Sequence, residues 1–137
     1  MKILCLVPLL LFVLSTSLFA QTKESLETSG NAFLRICSVV DKEKNMEPLS
    51  VDQKVALMSC LNFVSGFTNG VEVEMLFVEN ATKQSTHAPF CVPESVENIQ
   101  MVRVVLKYIR DNPAAAHRKT NSLIMFSLGE RYPCPSR

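Results

Sequence analysis

The side chains of this sequence with the most capacity for chemistry are Cys37, Cys60, Cys91 and Cys134, with His87 and His117. A thiolate beside an imidazole is a nucleophile, and His87-Ala88-Pro89-Phe90-Cys91 carries both types within one short stretch. Such pairs are normally brought together by the fold rather than by sequence proximity, and Cys91 is better used in a disulfide. A zinc site wants Cys or His paired at two- to four-residue spacing, whereas these four cysteines are spread singly along the chain. Glu72 and Glu74 fall on different faces of a helix and cannot act as one carboxylate pair. His117, after Pro113-Ala114-Ala115-Ala116, reads as a turn residue. No glycine-rich phosphate loop or nucleophile elbow is present. The expectation is a binding protein with no catalytic residue, no metal and no cofactor.

Lys2 is the lone charge before an apolar run from Ile3 to Leu14, followed by Ser15-Thr16-Ser17 and Leu18-Phe19-Ala20. That is the pattern of a secretory signal peptide over residues 1–20, cut after Ala20 or after Ser17, and Cys5 leaves with it. Export places the four remaining cysteines in an oxidising compartment, where they read as two disulfides. The chain has 137 residues, 47% hydrophobic and 20% charged, with a formal net charge of +1. Loss of Lys2 leaves a mature charge of zero. That length suits one domain, residues 21–137. The even charge excludes an electrostatic nucleic-acid binder and a polybasic membrane module. After signal cleavage no segment has the continuous apolar length to span a bilayer.

The elements that must hold the cysteines are helices. Over residues 25–43, Phe33, Leu34, Ile36, Cys37 and Val40 recur at helical steps, with Thr28 or Ser29 as the cap. The charge run Asp41-Lys42-Glu43-Lys44-Asn45 reads as a solvated exit. Ser50-Val51-Asp52-Gln53 is a capping-box pattern that opens a second helix, expected to reach about Glu79. Its apolar residues cover more than one face, which predicts a central position in the fold. Gly66 and Gly70, four apart, would let another helix approach closely, within the subunit or across a dimer. Residues 80–93 break the pattern and predict a long polar loop, of a kind that often carries function. A third helix follows, with Ser95 as a plausible cap, and is stopped at Asn112-Pro113. A fourth runs from about Asn121 to Arg131. The fold class is all-α: a compact bundle of about four helices with two disulfides.

If the first two helices form an antiparallel hairpin about Pro48, Cys37 and Cys60 stand at nearly equal height. Cys91 precedes the third helix and Cys134 follows the fourth, so an antiparallel pair brings both to one end. Cys37–Cys60 with Cys91–Cys134 therefore needs the least rearrangement of the three possible pairings. On the loop-entropy model the two bridges are worth about 3.5 and about 4 kcal/mol.

Several motifs in series carry a resemblance: Leu34-Arg35-Ile36-Cys37, Cys60-Leu61 leading into Gly66-Phe67-Thr68-Asn69-Gly70, Cys91-Val92-Pro93-Glu94, Gln100 to Tyr108, Asp111-Asn112-Pro113 and Tyr132-Pro133-Cys134-Pro135. Together they resemble the Tai (resistance-associated protein) family of type VI secretion immunity proteins, over about residues 31–135. Arg131 departs from the pattern, which more often has a small residue there. The resemblance implies an all-helical periplasmic protein, often a homodimer. Such a protein neutralises a secreted peptidoglycan amidase toxin, with a papain-like Cys–His site, by obstructing it with a loop. The counterpart here is the polar loop, with Lys83, Gln84, Ser85, Thr86, His87 and Phe90 as the expected partner-binding residues. His87 and Phe90 are its foremost contacts, although Phe90 could equally cover the Cys91 disulfide. Two other readings compete: a periplasmic structural or envelope-assembly module of the same fold with no toxin partner, and a binder of a small apolar ligand between Met- and Phe-rich helices.

Overall fold

The computed structural model describes residues 25–84 and 88–135. The expected signal peptide lies outside the described residues, as do Ser85, Thr86 and His87. Five α-helical segments follow one another: α1 (Gly30–Cys37), α2 (Val39–Lys44), α3 (Val51–Thr82), α4 (Asn98–Asp111) and α5 (Thr120–Arg131), with a 3-10 turn at Pro113–Ala115 before α5. Among the described residues there is no strand. The expected first helix is thus α1 and α2, interrupted at Ser38 alone, and the bundle has the all-α, four-helix character read from the sequence.

Each boundary has a local cause. Ser29 rather than Thr28 caps α1, its Oγ accepting from the Ala32 N–H at 3.2 Å. Residues 25–28 form a turn, not a first helical turn. At α3 the capping box is complete: the Gln53 N–H donates to Ser50 Oγ, and the Ser50 N–H donates to Gln53 Oε1 at 3.0 Å. The cap of α4 is Glu97, whose N–H donates to Gln100 Oε1 at 3.0 Å, and not Ser95, which lies two residues upstream. Residues 80–82, expected in the loop, extend α3 by a turn. No proline or glycine stops them, and the Thr82 hydroxyl donates to the Val78 carbonyl at 2.8 Å. Lys83 ends the helix in the left-handed region, φ 54°.

The core is assembled from one stripe on each helix. Phe33 and Cys37 of α1, with Val40 of α2, meet Val102, Val105, Leu106 and Ile109 of α4 and Leu123, Ile124 and Leu128 of α5, all essentially without solvent contact. α4 packs on α5 and on α3, and α1 on α3 and α4. Beneath α1, Cys37 is bonded to Cys60 across a Cα–Cα distance of 5.8 Å. At the other end Cys91 is bonded to Cys134 at 4.9 Å. Both pairings are those read from helix heights. Asp41 and Glu43, expected to be merely solvated, form ion pairs with Arg110 and Arg103 of α4 at 2.5 and 2.6 Å. These pairs are half-exposed, so each is worth at most about 1 kcal/mol.

Two regions depart from the expected layout. α3 is central only in part: Cys60, Val64 and Thr68 are its buried residues, while Val51, Val55, Met58, Val73, Leu76 and Phe77 are exposed. At about 1.5 Å per residue its 32 residues run about 48 Å, whereas the 14 of α4 reach about 21 Å. The shorter helices cannot cover it. Gly66 and Gly70 are also not a packing seam among the described residues, where a Cβ on either would meet nothing within 4 Å. Gly30, by contrast, allows close approach between α1 and α5. A Cβ there would fall 2.4 Å from Leu123 Cδ1 and 3.0 Å from the Ala116 carbonyl oxygen. Its N–H donates to the Arg118 carbonyl at 3.0 Å, and the next N–H, that of Asn31, to the Ala116 carbonyl at 2.9 Å.

Gly30→Ala is therefore expected to cost about 1–3 kcal/mol by overpacking, read as a lower urea midpoint. An unchanged midpoint would show that α1 and α5 separate without cost.

Candidate functional site

The loop expected to carry the partner-binding residues is tethered at both ends. On one side it leaves the left-handed C-cap at Lys83, whose N–H donates to the Glu79 carbonyl at 2.8 Å. Lys83 and Gln84 are exposed. On the other side residues 88–91 are clamped to the end of α5. The Cys91 N–H donates to the Tyr132 carbonyl at 2.8 Å, the disulfide joins Cys91 to Cys134, and the Pro89 carbonyl lies 2.9 Å from where a Cβ on Gly129 would stand. Gly129 thus lets the loop backbone sit directly on α5.

Phe90 belongs to this clamp and not to the contact surface. Its side chain is only 6% exposed and joins the core cluster. An aromatic residue next to a bonded cysteine is drawn under the loop by the same tether. Cys91 has its sulfur in the disulfide, which removes the thiolate that a Cys91–His87 nucleophile would need. Ser85, Thr86 and His87 are outside the described residues, so the structure places Lys83, Gln84 and Phe90 of the six expected contacts.

The residues that sequence reading missed lie beside the loop. Beyond residue 70, α3 carries Val73, Leu76 and Phe77 into solvent, with Phe77 71% exposed. A cleft of about 350 Å³ separates this part of α3 from the clamp, lined by Val71, Glu72, Met75, Leu76, Ala88 and Phe90 among others. Exposed apolar side chains grouped on one element mark an interaction surface more often than a solvated one. The signal was in the sequence: a helix apolar all round has either a complete intrachain environment or a second partner. Among the described residues no group of His, Cys, Asp and Glu could hold a metal ion. No described helix is long and apolar enough to cross a membrane.

A family model described as Rap1a immunity proteins matches residues 29–134. No curated protein matches the chain, and no solved structure does. The matched region begins at the α1 cap and ends at the last cysteine, so it contains both disulfides, the clamp and the whole of α3.

If Phe90 is a core residue of the clamp, Phe90→Ala should cost about 3–5 kcal/mol of stability, measured by urea unfolding of the oxidised protein. A residue held out for a partner would instead unfold at the wild-type midpoint.

Proposed function

The chain belongs to the family of Rap1a immunity proteins, and on that premise we propose that it is an exported, periplasmic inhibitor of a type VI secreted peptidoglycan amidase. It binds the toxin and occludes its active site; it does no chemistry of its own. The observation that carries this reading is the loop tethered between the end of α3 and the Cys91–Cys134 clamp, with exposed apolar residues of α3 beside it. The described flanks, Lys83 and Gln84 on one side and Ala88 to Cys91 on the other, set where the loop leaves and where it returns. Lys83 and Gln84, with Ser85, Thr86 and His87, supply the polar contacts, and Leu76 and Phe77 the apolar margin. Two disulfides in a chain of this size support export, since such bonds persist in oxidising compartments. A mature domain over residues 21–137 and a signal peptide over 1–20 complete the reading. The inhibitor acts as a homodimer.

The test replaces Gln84–His87 with a Gly-Ser link and measures folding, together with inhibition of the hydrolase encoded by the adjacent gene. Because the clamp is left in place, the variant should keep its helical content and unfolding midpoint while losing inhibition. A folded variant that inhibits at full strength would exclude the loop as the blocking element.

A further inference from the structure

The two disulfides differ in what surrounds them. Cys37 and Cys60 have no solvent contact and share the core with Phe33, Val40 and Val64. Cys91 is exposed and Cys134 half-buried, and their bond ties Cys91 to the chain just beyond α5. A thiolate must reach a disulfide sulfur to attack it, so exposed bonds are the labile ones. Cys37–Cys60 is reached only when the core opens, and core elements open least often of all.

The outer bond is also what fixes the chain end. Pro133 and Pro135 have no N–H to donate. Among the described residues no backbone hydrogen bond holds 133–135. On the other side, the Cys91 N–H bond to the Tyr132 carbonyl and the burial of Phe90 keep residues 88–91 near α5 without the sulfur. We propose that Cys91–Cys134 is a redox latch, which a dithiol opens in the folded protein while Cys37–Cys60 stays closed.

A thiolate of the dithiol attacks Cys91 Sγ, the S–S bond breaks and Cys134 leaves as a thiolate. The second sulfur of the reductant then attacks the mixed disulfide and releases Cys91. The dithiol is oxidised by two electrons, and two protons end on the two cysteines. Cys134 Sγ lies 3.5 Å from the Ala88 carbonyl oxygen, so the released thiol has an acceptor beside it for a weak hydrogen bond. That contact keeps the sulfurs near each other, and the bond re-forms when an oxidant returns. The helices stay in place, because the core and Cys37–Cys60 hold them. Residues 88–91 and 133–135 are the ones that loosen. A reducing compartment keeps the latch open, and export closes it. One consequence rests on the proposed function: inhibition needs the closed latch, which confines it to the oxidising compartment.

The test treats the oxidised mature protein with dithiothreitol at neutral pH, traps thiols with iodoacetamide and maps them by mass. Cys91 and Cys134 should be alkylated at least about 100-fold faster than Cys37 and Cys60, with helical content unchanged. Amide exchange at Cys91 should quicken in the opened protein and slow again after reoxidation. A Cys91→Ser, Cys134→Ser variant, open without an alkyl group, should show the same exchange and lose at least about tenfold in inhibition of the hydrolase. Release of both bonds at one rate would overturn the latch, as would unchanged exchange at Cys91. Full inhibition by the folded double variant would overturn its coupling to inhibition. An oxidised wild-type protein that does not inhibit would contradict the proposed function instead, and alkylation and exchange would still decide the latch.

Discussion

Everything in this structure depends on how a very long helix is held by a narrow seam. α3 buries Cys60, Val64 and Thr68, one residue per turn, and Cys60 is bonded to Cys37 beneath the core. That covalent tie lies at the N-terminal end of the seam. Above it, Phe63 turns its ring toward Phe33 with centroids 6.4 Å apart. Past the seam, α3 continues for more than three turns, with its exposed side chains predominantly apolar on one face. The bundle of α1, α4 and α5 is a base, and α3 is the element it presents.

The two disulfides serve different purposes. Cys37–Cys60 lies wholly within the core and sets α3 on the bundle. Cys91–Cys134 is near the surface, and together with Phe90 and Gly129 it fixes the far end of the loop. One bond therefore positions the helix from which the loop departs, and the other the point to which it returns.

Much of this was legible in the residues. The Ser50/Gln53 capping box marked the start of α3, and helix heights alone selected both disulfides, because an antiparallel hairpin leaves few cysteine pairs within bonding distance. The end of α3 was not legible. Asn80, Ala81 and Thr82 look like loop, and only the structure shows α3 running on through them to Thr82. Phe90 was ambiguous because an apolar residue beside a cysteine suits a clamp as well as a contact. Periodicity misplaced α3 itself: an all-round apolar pattern counts the faces that need cover, and cannot say whether the same chain supplies it. The glycines illustrate the same limit. Gly30 is required by α5 and by the turn before it, far away in sequence, whereas the four-residue spacing of Gly66 and Gly70 suggested a contact that the described residues do not make.

The central claim is that the buried seam, locked by Cys37–Cys60, holds α3 to an otherwise self-sufficient base. Amide hydrogen exchange tests it most directly, by comparing the oxidised protein with a Cys37→Ala, Cys60→Ala variant under native conditions. Exchange reports the free energy of local opening, element by element. Loss of protection concentrated in peptides from residues 51–82, with those from residues 98–131 little changed, is the expected result. Equal loss across α4 and α5, or no loss in α3, would contradict the claim that this seam is what holds the helix in place.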